Sequence, residues 1–286
     1  MKIVTDCAAD LPQEEALALG VTVAPLFISF PEGQVNSADI SADEFYNRLE
    51  AMAPKTPSTA QPSPGIFSDI YNKLAATGEQ ILSIHISSGL SGTINAARQG
   101  AKDAAGAAVH LFDSLTLSGG QRFQVLAAVR ALHAGWSMEQ LMERLGKLRE
   151  STEVIYTLET LSYLARGGRI GRVQALAGAL LNLKPIIRVD RSDGKYSTAG
   201  KARTISKALN SISDHLAQEY GQTALWVSVM HGRFADQAEN LAALLKERLN
   251  VAKLEILRIS PVLGVHTGPG IVGATVCPMH LLEDIG

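Results

Sequence analysis

The chain is predicted to be an α/β protein of two domains, the first built on a mainly parallel, doubly wound sheet and the second on a mixed or antiparallel one. Three observations predict this. Its 286 residues exceed the usual size of a single domain. Short apolar runs alternate with amphipathic stretches through the first half, the rhythm of strand and helix in turn. From Thr152 the texture changes, and two strand-like runs face each other across a turn. The boundary is placed near Ser151, with domains over 1–151 and 152–286 and a ligand between them.

Taken in order, KIVTD reads as a strand, Pro12–Leu19 as a helix, and VTVAPLFISF as the next extended run. Ser63 followed by Pro64 is an N-cap with proline at the first helical position, opening a helix through IFSDIYNKL. ILSIHIS (81–87) leads into a helix from Thr93 to Ala105, and AVHLFD (108–113) into one over Gly119–His133. Parallel packing follows from that alternation. In the second half come VIYTL, a helix, then KPIIRVD and KYSTAG joined through Ser192-Asp193-Gly194. A helix over Thr204–Gln218, the strand ALWVSVM, a helix over Ala235–Leu249, KLEILRIS and a last strand IVGATV complete the chain.

Composition narrows the function. With 26 basic and 28 acidic side chains the formal charge is −2, so there is no global positive field of the kind that gathers nucleic-acid phosphates. The start, MKIVTDCAADLP, meets acid before any signal-length apolar core, and Cys7 and Cys277 make neither a disulfide framework nor a metal spacing. A reduced cytoplasm is the expected setting, with no metal and no cofactor. The stretch Ile259–Leu282 is uncharged and long, yet Pro261, Pro269 and Pro278 break a spanning helix; buried strands joined by tight turns are expected there.

The loop HISSGLSGT (85–93) joins a strand to a helix and is crowded with hydroxyls and glycines. Such a junction aims free N–H groups at whatever lies above the strand. Ser91 adds a hydroxyl donor, while Gly89 and Gly92 let a ligand approach the backbone; a plain helix cap would need the same residues. TPSTAQPSPG (56–65) supplies Thr59, and LGVHTGPGIVG (263–273) places His266 among small residues. The spacing Gly268, Gly270, Gly273 is not read as a dinucleotide fingerprint, because strand residues follow it. LARGGRIGR brings Arg166, Arg169 and Arg172, and GKART brings Lys201 and Arg203, five cations suited to phosphate or an acidic protein surface.

KIVTDCAADLP, PSTAQPSPG, HISSGLSGT, FDSLTLSGG, LETLSYLARGGRIGR, LNLKPII, GKARTISKAL and VHTGPGIVG, in this order nearly end to end, resemble the DegV family. The resemblance implies a two-domain DegV-like fold holding a long-chain fatty acid between the domains. For FakB-type members it implies an acyl carrier that presents the bound carboxylate to a fatty acid kinase for conversion to acyl phosphate. By the motif match Thr59, Ser91 and Gly92 hold the carboxyl group and His266 supports it, with no catalytic residue. Arg166, Arg169, Arg172, Lys201 and Arg203 then face the kinase. Phe27, Ile28, Leu161, Leu164, Ile187 and Ile271 are candidates for the tail pocket. Cys7 and Ala60 depart from the family's serines and remove two hydroxyls. Neither nucleic acid nor stable membrane insertion is expected, transient membrane contact being left open. The competing readings are a lipid-sensing regulator without a kinase partner, and an acyl hydrolase with Ser91 as nucleophile and His266 as base.

Overall fold

The structure is a computed structural model, and it describes residues 1–176, 183–283 and 285. Leu181 and Asn182 of the LNLKPII motif lie outside the described residues.

The first half contains strands β1 (Lys2–Asp6), β2 (Val21–Ala24), β3 (Phe27–Phe30), β4 (Gly33–Asn36), β5 (Ser58–Ala60), β6 (Ile81–His85) and β7 (Val109–Asp113). Its helices are α1 (Gln13–Ala18), α2 (Ala42–Ala51), α3 (Pro64–Ala75), α4 (Thr93–Asp103), α5 (Gly119–His133) and α6 (Met138–Ser151). The remainder carries β8 (Glu153–Leu158), β9 (Lys184–Val189), β10 (Tyr196–Ala202), β11 (Leu225–His231), β12 (Val251–Arg258) and β13 (Ile271–Pro278). Between them run α7 (Ser162–Arg166), α8 (Ile205–Tyr220), α9 (Ala235–Arg248), α10 (Pro261–Thr267) and α11 (His280–Glu283).

A four-stranded parallel sheet has the order β2-β1-β6-β7, and a six-stranded mixed sheet the order β10-β9-β8-β13-β11-β12. In the parallel sheet Val4 and Ile81 face α3 and α4, while Ile3, Leu82 and Ile84 face α5, the two-sided covering a doubly wound sheet needs. α5 and α6 also reach Trp226 and Cys277 of the second sheet, whose other face is closed by α8 and α9. The layers therefore run helix, sheet, helix, sheet, helix.

VTVAPLFISF is two strands rather than one. Pro25 offers no N–H to continue a ladder, so β2 ends at Ala24, and β3 joins a separate antiparallel sheet of order β4-β3-β5. The expectation of strands and turns over 259–282 is corrected at its start: Pro261–Thr267 is a fully buried helix. Proline at the first helical position needs no N–H partner, so the residue taken as a breaker starts this helix. Gly268 ends it with φ +73, donating its N–H to Gly264 O at 2.8 Å. α2 and α6 were passed over in the sequence although both carry serine caps. Ser41 accepts from Glu44 N, and Ser137 forms a reciprocal capping box with Gln140.

Candidate functional site

The third sheet, the loop after β6 and the helix α10 converge on a cavity of ≈ 290 Å³. Thr59 sits on β5, set opposite Ile28 by the antiparallel register with β3. Its Oγ1 lies 2.9 Å from His266 Nε2 in the last turn of α10. Burial, with Arg169 adding like charge, pushes the His266 pKa down to about 4, so the ring is neutral at neutral pH. Among the described residues its Nδ1 is buried without a partner. An unused lone pair costs less there than an orphaned N–H. We therefore assign the proton to Nε2, donating to Thr59 Oγ1 and leaving the Thr59 hydroxyl proton for the cavity.

Ser91 is held by a chain of buried polar contacts. The Asp6 carboxylate at the end of β1 accepts from Ile86 N (3.0 Å) and lies 2.9 Å from His85 Nδ1. His85 Nε2 reaches Ser83 Oγ at 2.7 Å, and Ser83 reaches Tyr71 Oη at 2.9 Å. The strand end so fixed passes to Ser87, whose O accepts from Leu90 N and Ser91 N, both at 3.0 Å. Ser87 Oγ donates to Gly194 O at 2.8 Å, docking the loop on the β9–β10 hairpin. Ser91 Oγ lies 2.8 Å from Thr93 Oγ1 and lines the cavity. Gly92 precedes α4, and a Cβ there would collide with the side chain of Gln61, another lining residue.

The cavity's polar lining consists of Thr59, Gln61, Ser91 and His266, with Arg169 and Tyr196. Leu26, Ala60, Ile86, Leu90, Val262 and Leu263 supply the aliphatic part of the wall. Tyr196 and Leu263 also line a second void of ≈ 30 Å³, bounded by the buried Tyr156, Met230, Ile271 and Thr275.

Thr59, Ser91 and His266 thus share one cavity, with Gly92 behind Gln61. Of the apolar candidates, Ile28, Leu164, Ile187 and Ile271 are buried in the seam's core, and Leu161 packs at its margin. Phe27 is half-buried and outside that core, because it alternates to the opposite side of β3 from Ile28. Leu26, Leu90 and Leu263, which line the cavity, were not singled out in the sequence. Nor was Gln61, although it lies two residues from Thr59.

Arg169 is more than a surface cation. The chain doubles back at Gly168 (φ +68), and Arg169 lines both the head cavity and an adjoining cleft of ≈ 550 Å³ shared with Arg172 and Lys195. Arg172 is paired with Asp193 and lies 3.8 Å from Asp190. Arg166, Lys201 and Arg203 are exposed, and the segment Gly171–Leu176 packs against β10, bringing the two basic motifs side by side. Of the two departures, Ala60 lines the head cavity. Cys7 lies elsewhere: its Sγ donates to Ala24 O at 3.5 Å, and burial pushes its pKa up to about 12.

As a hydrolase the arrangement is incomplete. His266 bonds Thr59 rather than Ser91, and among the described residues no acid orients its Nδ1. Among the described residues, no helix is long and apolar enough to cross a membrane.

The same architecture recurs in known proteins. A structure described as fatty acid binding of a DegV family protein from Thermus thermophilus superposes with a TM-score of 0.90 at 32% identity, covering 97% of this chain and 99% of that one. A stearic acid-binding protein from Eubacterium ventriosum gives 0.87 at 30% identity, with 97% and 98% covered. DegV of Bacillus subtilis, described as a fatty acid binding protein, gives 0.87 at 27%, with 96% and 98% covered. In sequence, a DegV domain-containing protein of Deinococcus radiodurans is 39% identical over 277 residues, 96% of this chain and 95% of that one. With residues 1–279 matching the family described as "Uncharacterised protein, DegV family", and with the motif loops gathered around one cavity, the chain belongs to the DegV family.

Proposed function

We propose that this protein binds one long-chain fatty acid in the seam between its sheets and presents the carboxyl group to a fatty acid kinase. One observation carries the reading: a single cavity gathers the Thr59 and Ser91 hydroxyls, the His266 imidazole and a set of aliphatic side chains, in a chain whose structural relatives are described as fatty acid-binding. Each methylene taken from water contributes about 0.8 kcal/mol, so the tail supplies the affinity. Thr59 and Ser91 donate to the carboxylate, which would otherwise be costly to desolvate. Rotation of Tyr196 and Leu263 joins the head cavity to the inner void when the chain enters. Arg169, at the lip, adds a positive charge, and Arg172 and Lys195 extend a basic path outward for a transferred phosphoryl group.

Mass spectrometry of lipid extracted from the purified protein tests the first half, with stoichiometric long-chain fatty acid expected; protein that neither carries nor takes up such an acid contradicts it. Incubation with a fatty acid kinase and ATP tests the second half. Acyl phosphate is expected, and its absence from lipid-loaded protein would leave a lipid sensor instead.

A further inference from the structure

Three cavities are linked through shared wall residues. Tyr196 and Leu263 line both the head cavity of ≈ 290 Å³ and the inner void of ≈ 30 Å³. Ile259 lines both the inner void and a third, open chamber of ≈ 690 Å³, whose walls include Leu11, Val23, Ile40 and Leu257 and whose rim carries the exposed Gln13 and Leu17. The partition around Ile259 is braced. Ser118, on the void's wall, donates to Asp10 Oδ2 at 2.6 Å, and Asp10, on the chamber's wall, accepts from Ser260 N at 2.7 Å through its other oxygen. The N–H of Ile259 is itself spent on His231 O at 3.0 Å, and the residue is 3% exposed. The backbone of the partition is therefore fixed on both sides of Ile259.

The geometry points to Ile259 as the residue that sets the length of the acyl chain: the methyl end of the ligand stops against its side chain, and the chamber behind is room that a longer chain enters once that side chain is shortened. This rests on the fatty-acid reading above. A small apolar void leaves its lining atoms without contacts on one side, and the end of a chain of the right length restores them. A chain too long for the void meets a floor held by hydrogen bonds rather than one free to yield.

The test uses the full-length protein stripped of lipid, as wild type and as Ile259→Ala, titrated with saturated fatty acids from myristate to behenate. The expected result is a tightest-binding chain at least one two-carbon step longer in the variant than in the wild type. Ile259→Val, which removes one methyl group, covers an alanine variant that fails to fold, with a smaller change in the same direction: a gain for the longer acids relative to the wild-type optimum. Identical length profiles in folded variant and wild type overturn the inference while leaving fatty-acid binding intact. Wild-type protein that binds no member of the series overturns the fatty-acid reading and this inference together.

Discussion

At the scale of single residues, Thr59, Ser91 and a neutral His266 meet the carboxyl group with uncharged donors while Arg169 stands at the lip, and the energetics of the head follow from that. Thr59→Ala and Ser91→Ala each remove one donor to a carboxylate. About a tenfold loss of palmitate affinity is expected from either, equivalent to about 1.4 kcal/mol, with little change in thermal midpoint; calorimetric titration and a melting curve check the two halves. Equal affinity in both variants would remove these residues from the head group. His266 and Asp10 make opposite contributions to pH dependence. The imidazole is depressed to about 4, mainly by burial, so it favours folding above the ordinary histidine range and that support fades as pH falls toward 4. Asp10 is raised to about 6, again mainly by burial and despite its bonds to Ser118 and Ser260. Between its ordinary 3.8 and about 6 the folded chain holds a proton the unfolded chain has lost, so its contribution is full in acid and is lost as pH rises through 6. Asp10→Asn should therefore gain stability relative to wild type as pH increases from 5 to 8, read from urea unfolding at both ends. Ser91 could be marked in the sequence by the hydroxyls and glycines of its strand-to-helix junction, although a plain helix cap would need the same residues, and Thr59 and His266 took their roles from the motif match to the DegV family. Gln61 and Leu26 could not, since amides and leucines serve anywhere and only the fold brings them to the cavity.

At the scale of elements, the short helix α10 organises the site: it carries His266 and walls the cavity with Val262 and Leu263. Its neighbour α7 fits closely, because a Cβ on Gly167 would collide with His266 Nδ1. Gly167→Ala has no backbone strain to overcome, its φ being −74, so its effect should fall on the site. Weakened fatty-acid binding in a folded protein is expected, and unchanged binding would show that the imidazole can move aside freely. Long amphipathic helices such as α8 and α9 were legible because their apolar faces repeat over several turns. α10 was not, since a helix of seven residues buried on every side has no polar face to give a period. The break at Pro25 was likewise visible only as a proline; that the chain there leaves one sheet for another depends on partners distant in sequence.

At the scale of the whole molecule, the parallel first sheet and mixed second sheet agree with the reading of the chain, while the small third sheet was not foreseen. Its strands are three or four residues long, too short for an alternating pattern to stand out. Ligand in the seam should stabilise both sheets at once. At a free concentration one hundred times the dissociation constant, palmitate should add about 2.7 kcal/mol and raise the calorimetric midpoint by several degrees; an unmoved midpoint would place any bound lipid outside the folded core. The hairpin of α5 and α6 touches both large sheets. Severed after Ser151, the leading fragment would retain its own strands yet display a naked greasy flank where Trp226 and Cys277 had rested, and the trailing fragment would lack its cover. The two pieces should therefore clump when made singly and become tractable when made in the same cell.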